Sequence, residues 1–438
     1  MSEANGPREK HIEVYQRVPR GAKSHRQEPE PVWFAISGQT WDRTLLSGAP
    51  HRSRPGAAVR RAANELHMNC EIEFLPVGDG CKTGDAIVVR YGEVNAWELM
   101  VIDGGDLNSG KALVSHVQNT FGYNAVISHA ILTHPDADHA SGMREVLDGL
   151  PVKNLWLHMP WQFAAAARPY FANKNWTDQG LAQELRDEYN ILDDILAIAV
   201  KKNIAIQQPF AGTSIGPFRV VSPYQEVYPY FIPQFDRTAD PDQEALEAAG
   251  FWIGKAPGLL ASLLEKAVSK VQKWITESWD NERLKDGGCT SATNESSVVL
   301  YGDFGPGRRV LLTGDAGIWG LTMATCYASK NGLPMQDFML VQVPHHGSRR
   351  NVGPTILNNI LGPIKPNGTA PHSCAFVSAP KDDDTHPRKM VLNAFIRRGY
   401  KVAATQGSKI VLWGGFPARQ GYGALPTLPF ATQVEDYD

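Results

Sequence analysis

The sequence predicts an α/β protein whose strands fall into two groups, as two half-sheets require. Strand-period runs open at Cys70 and return at Ser297, and helical periodicity occupies much of the stretch between them. The first group reads Glu71–Val77, Asp85–Arg90 and Glu98–Asp103, a meander punctuated by glycine turns. A helix is expected over Gly110–Phe121, after which the apolar strand Ala130–Thr133 runs straight into His134. Residues 155 to about 290 form a long aromatic-rich insertion, with helices expected over Leu181–Lys201 and Leu259–Trp279. The second group is Ser297–Tyr301, Arg309–Thr313, Phe338–Val343, Cys374–Ser378 and Lys409–Trp413, with a helix over Arg388–Arg398. These elements define one domain over residues 69–420. Residues 1–68 read as an irregular extension with short structure near Val32–Ile36, the basic run His51–Arg61 as a solvated linker, and residues 421–438 as a tail.

Composition narrows the class without choosing a partner. Of 438 residues 42% are hydrophobic and 20% charged, the balance of a soluble globular chain. A formal net charge of -3 supplies no global field for gathering nucleic acid or anionic membrane, so a polyanion must be held by a local patch or by metal. The five cysteines are scattered and form no Cys-x-x-Cys pair, which disfavours a disulfide framework and a thiolate zinc site and suits a reducing cytoplasm. Charges fill the N-terminal stretch where a secretory segment needs apolar residues, and no membrane-length apolar run occurs.

Three motifs carry chemistry. The strongest is His134-x-Asp136-x-Asp138-His139, four ligand-type side chains within six residues at the end of an apolar strand. Oxygen and imidazole donors converging on divalent ions lower the pKa of bound water to about 7 and make hydroxide available at neutral pH. The second is the strand Leu311–Thr313 ending in Gly314-Asp315, and the third is Pro344-His345-His346-Gly347-Ser348, again after an apolar strand. Adjacent histidines are expected to point apart, so at most one of the pair should reach a metal.

The ordered series Leu75-Pro-Val-Gly, Thr83-Gly-Asp85, Val101-Ile-Asp103-Gly-Gly, His134–His139, Asn294-Glu-Ser-Ser-Val, Gly314-Asp315, Pro344–Ser348 and His386-Pro387 resembles the metallo-β-lactamase superfamily. It is most similar to the branch containing the C-terminal domain of the competence DNA-uptake channel protein. The resemblance covers residues 70–413 apart from the insertion. It implies a four-layered αββα sandwich with a metal pocket at one edge. It further implies that His134 and Asp136 bind a first metal, that Asp138 and His139 bind a second, that Asp315 bridges them, and that the Pro-x-His-Gly run supplies the last ligand, His346. Zinc is the expected ion and manganese an alternative, because Asp136 stands where most members have histidine and Asn294 where they have a third one. His345 becomes a group that contacts a ligand or the substrate, Asp103 and Asn294 orient ligands by hydrogen bonding, and His158 is a hydrogen-bonded histidine on a buried strand.

The expected activity is metal-dependent hydrolysis, foremost of a phosphodiester such as DNA or RNA, through hydroxide bridging the metals. Asp138, His345 and His386 are the expected catalytic residues. His386 is assigned to protonating the leaving oxygen, since imidazole exchanges protons near neutral pH. Ser348, Arg349 and Arg350 are expected to hold the substrate, the arginines by binding phosphate. The alternatives are a hydrolase of a small phosphoester, ester or lactone, closed in by the aromatic insertion, and a non-catalytic binding protein on the same fold. The insertion also offers a surface for a protein partner or a second copy.

Overall fold

The computed structural model describes residues 68–78, 84–253, 273–383, 385–417 and 419–437. The N-terminal extension, its basic run and residues 259–272 of the expected second insertion helix lie outside the described residues.

A first sheet contains β1 (Asn69–Phe74), β2 (Ile87–Glu93), β3 (Ala96–Ile102), β4 (Ile127–Ile131), β5 (Val152–Trp156) and β6 (Ala205–Gln207) in that order, with β15 (Ile410–Gly414) beside β1. The strands β15 to β3 pair antiparallel as a meander, and β3 to β6 run parallel. The second sheet has the order β14-β13-β12-β11-β10-β8-β7. Its strands are β7 (Ser214–Ile215), β8 (Phe218–Ser222), β10 (Val299–Asp303), β11 (Arg309–Leu312), β12 (Leu340–Gln342), β13 (Ser373–Val377) and β14 (Tyr400–Ala404). A separate pair joins β9 (Trp274–Thr276) to β16 (Gln433–Glu435). The segment expected as an insertion therefore supplies an edge strand to the first sheet and β7 and β8 to the second.

Alternation along the strands explains the layers. In β3, Met100 and Ile102 enter the core between the sheets, while Leu99 and Val101 face the core under helices α1 (Leu107–Phe121) and α2 (Ala137–Gly149). In the second sheet, Val310 and Leu312 of β11 meet the inter-sheet core. Leu311 faces a third core with helices α5 (Ile318–Lys330), α6 (Pro354–Leu361) and α7 (Lys389–Arg397). Both faces of each sheet are thus buried, at about 1.5–3 kcal/mol for each large aliphatic side chain removed from water. The result is a four-layered αββα sandwich. The expected insertion helix Leu181–Lys201 is two helices, α3 (Asp178–Glu188) and α4 (Asn190–Lys201), of which α4 packs on α2. The four described cysteines are free thiols, and no described helix is long and apolar enough to cross a membrane.

One buried carboxylate ties the sandwich to the site. Glu295 ends the short helical turn Ala292–Glu295 and accepts the N–H of Gly320 at 2.8 Å, in the first turn of α5. A Cβ on Gly317 would lie 2.2 Å from Glu295 Oε1, so glycine there admits the carboxylate to the helix start. Burial outweighs the amide hydrogen bonds from Gly320, Trp319 and Gly317 and pushes the carboxyl from its ordinary 4.5 up to about 7. Between those values the native state keeps a proton that the unfolded chain has released, so this group's contribution to stability falls as pH rises. Wild type should lose up to about 1.4 kcal/mol per pH unit relative to Glu295→Gln across that window. Urea unfolding of both proteins measures this, and a pH-independent difference would rule it out.

Candidate metal centre

The ends of five elements meet at one edge of the sandwich. Asp85 precedes β2, Asp103 follows β3, the His134–His139 run links β4 to α2, Asp315 follows β11, and His345 and His346 follow β12. All are buried or nearly so, except the more open Asp136, Asp138 and His345. Close backbone approach sets the geometry. A Cβ on Gly142 would sit 2.0 Å from Gly104 O, so this glycine lets α2 press against the Asp103-Gly-Gly turn. That contact is locked by Gly104 N–H donating to His139 O at 3.0 Å and Gly142 N–H to Gly105 O at 2.9 Å.

Four imidazoles converge on one carboxylate oxygen. Asp315 Oδ2 lies 3.4 Å from His139 Nε2, 3.7 Å from His346 Nε2, and 3.8 Å from both His134 Nε2 and His345 Nε2. On the opposite side of each ring, Nδ1 has a fixed partner. His139 Nδ1 donates to Asp103 Oδ2 at 2.8 Å and His346 Nδ1 to the Ser378 carbonyl at 3.1 Å. Thr133 gives its only hydroxyl proton to Asp103 at 2.7 Å, so its oxygen accepts from His134 Nδ1 at 2.9 Å. Asn351 is oriented by its amide donating to Asp315 O at 2.8 Å, which turns its oxygen toward His345 Nδ1 at 3.0 Å. These acceptors place a proton on Nδ1 of His134, His139 and His346, and the Nε2 atoms face inward.

Those inward atoms fit divalent ions. His134 Nε2, His139 Nε2, His346 Nε2 and Asp315 Oδ1 are buried without a hydrogen-bond partner, a costly state for polar atoms unless a ligand completes them. Donor atoms within 4.8 Å of one another group as His134, His139 and Asp315; as Asp138, His139 and His346; and as Asp315, His345 and His346. Burial holds His134 and His346 down to about 4, keeping them neutral, as metal ligands must be. Burial would lower His139 too, but the Asp315, Asp103 and Asp138 carboxylates outweigh it and raise that group. For Asp315, burial opposes ionisation, and His139, His345 and His346 overcome it, holding the carboxyl well below its ordinary value.

His345 was expected to diverge from His346; instead both adopt positive φ, 47° and 56°, and this left-handed turn brings both rings to Asp315. Such consecutive non-glycine strain costs about 1–3 kcal/mol per residue and collects at functional sites. Asn294 Nδ2 lies 2.8 Å from Thr290 Oγ1 and 3.1 Å from His345 Nδ1, so it flanks the extra histidine. Asp136 joins none of the convergent groups; its Oδ2 is 3.7 Å from His134 Nε2. His158 follows β5 and is buried against Phe210 and Tyr228, with Nε2 3.2 Å from Pro209 O. Ser348 is buried and accepts from Arg350 N–H at 3.2 Å. Arg349 donates to Asp436 O at 2.5 Å and stacks on Tyr437, so the chain's own C-terminal strand has taken it. Arg350 is exposed.

His386 stands beside the centre. Its Nδ1 lies 3.1 Å from Asp383 Oδ2, and Pro387 packs where a Cβ on Gly347 would be, 2.6 Å away. Sequence reasoning gave no role to Asp85, whose signal was only the Thr83-Gly-Asp motif. Its Oδ2 accepts from Gln342 Nε2 at 2.7 Å and is 3.9 Å from His139 Nδ1, so with Asp103 it lies behind His139. Thr133 and Asn351 were missed as well.

No protein family and no curated protein matches the sequence. Several solved structures align with much of this chain at low identity. Unliganded yeast PDE1 is 11% identical with a TM-score of 0.35, covering 77% of this chain and 97% of its own. Zinc-bound PqqB from Methylobacterium extorquens is 11% identical with a TM-score of 0.33, covering 78% and 99%. A Thermotoga maritima protein described as a metallo-beta-lactamase is 11% identical with a TM-score of 0.29, covering 61% and 92%. Likeness at this level transfers neither substrate nor site residues.

Proposed function

We propose that this chain is a divalent-metal-dependent hydrolase of phosphodiesters. The observation that carries the reading is the set of inward Nε2 atoms around Asp315, each histidine fixed through Nδ1 and three of the four Nε2 atoms buried without a partner. Divalent ions bound there lower the pKa of water to about 7 and neutralise charge building on the oxygens at phosphorus. His134, His139, His345, His346, Asp138 and Asp315 would hold them, zinc or manganese, while Asp103 fixes the His139 ring. His386, whose Nδ1 faces Asp383, would hold a proton for the leaving oxygen.

A phosphodiester is favoured over a small ester or lactone by the surroundings. Arginines 350 and 388 lie next to the His345–Gly347 turn, and this chain has no general positive field. The insertion's rings, which a deep aromatic pocket would need, pack into one another: Phe163, Phe210 and Tyr228 form mutual edge contacts, and Tyr228 meets Phe235. The test is turnover of bis(p-nitrophenyl) phosphate, single-stranded DNA and RNA against p-nitrophenyl acetate and an acyl lactone, with zinc or manganese supplied. Metal-dependent phosphodiester cleavage, absent in Asp138→Ala, is the expected result. Cleavage of ester or lactone with phosphodiesters untouched would overturn the reading.

A further inference from the structure

Resting on the metal-centre reading of the site, we infer that Gln342 is the positioning residue for Asp315, its side-chain amide setting the turn that carries the carboxylate. Alternation along β12 puts Leu340 in the core between the sheets and Val341 in the core under the helices, so Gln342 shares the inter-sheet face of Leu340. An amide buried in that apolar row costs free energy unless its polar ends are bonded. Both of them are. Oε1 accepts from Thr313 N–H at 2.9 Å and from Gly314 N–H at 3.1 Å, and Nε2 donates to Asp85 Oδ2 at 2.7 Å.

Those bonds reach across the sandwich to the base of the Asp315 turn. Asp85 leads into β2 of the first sheet, and Thr313 and Gly314 follow β11 of the second, so one side chain joins the two sheets at the metal-centre edge. Gly314 has a φ of 51°, and a Cβ there would lie 3.1 Å from Thr133 Cβ, so the turn closes on the residue that bonds both Asp103 and His134. The Gly314 carbonyl accepts from His345 N–H at 3.3 Å, which links the same turn to the extra histidine. Gln342 thus holds the N–H of the peptide group whose carbonyl side faces His345, one residue before Asp315. The pattern of donors and acceptors selects glutamine. Two N–H groups demand an oxygen, and the Asp85 carboxylate demands a donor. Glutamate of equal length satisfies the turn but sets its second oxygen against Asp85, and methionine satisfies neither end.

The test reads metal uptake rather than turnover. Chelator-stripped full-length wild type, Gln342→Glu and the double variant Gln342→Glu/Asp85→Asn are titrated with cobalt(II), whose visible absorption reports ligand geometry, and with zinc against a chelating dye. In the double variant the introduced asparagine donates to the introduced glutamate, so the bond returns with its polarity reversed. The expected result is zinc binding about tenfold weaker and an altered cobalt spectrum in Gln342→Glu, with both recovered in the double variant. Should Gln342→Glu not fold, Gln342→Met replaces it, with the same loss expected. Unchanged affinity and spectrum in a folded single variant would overturn the inference, as would a lowered melting temperature with an unchanged spectrum, the mark of a purely structural amide. A double variant no better than Gln342→Glu would overturn it too. Wild type that takes up no cobalt would sink the metal centre itself, whereas metal-binding wild type beside indifferent variants sinks only the role of Gln342.

Discussion

Asp315→Asn should abolish hydrolysis, lowering turnover by about a thousandfold or more, which corresponds to the several kcal/mol that metal stabilisation of developing charge supplies. The size follows from position. Asp315 Oδ2 is the one oxygen to which all four imidazoles converge, within 3.4–3.8 Å, and Asp315 Oδ1 is buried without a partner. The asparagine keeps the shape and loses the charge, so two opposing terms change together. His139 loses the largest of the carboxylate influences that raise it, and divalent ions held there would lose an anionic donor. Rates measured at saturating metal, with metal content in parallel, check this. Retention of more than about a tenth of wild-type turnover would show that hydrolysis does not depend on the Asp315 carboxylate.

His345→Ala should weaken metal binding by more than about a hundredfold, beyond the 10–100-fold typical of groups that merely orient a ligand. The competing role, a proton donor to substrate, predicts a different pattern. Under that role kcat falls and metal affinity does not move. Isothermal titration with zinc, set beside kcat, separates the two. The structural reason for expecting a ligand is the pair of left-handed residues at His345 and His346, which costs backbone strain and makes sense where both rings are needed at Asp315.

The legible part of this site was local. His134, Asp138 and His139 share six residues of chain at a strand end, so periodicity and ligand chemistry found them, whereas Asp315 and the choice of His346 over His345 came from the family resemblance. What escaped depends on partners distant in sequence or on backbone angles. The convergence of His345 needs positive φ at two successive non-glycine residues, for which Gly347 was the only hint. Arg349 looked available for phosphate because its partners, Asp436 and Tyr437, come more than eighty residues later. The short strands β6 and β7, of three and two residues, are below the length at which a period of two can be read. Helix α5 was passed over because its buried residues include Gly320, Ala324 and Ala328, small side chains that draw no strong apolar stripe.

The histidines that converge on Asp315 are proposed to form a metal centre. Equilibrium dialysis of chelator-stripped protein against zinc or manganese, with bound metal counted by elemental mass spectrometry, tests it most directly. Wild type should take up about two ions per chain, and His139→Ala, which removes the imidazole common to two of the ligand groups, should hold neither tightly. Wild type that binds no more metal than His139→Ala, both folded, would contradict the account.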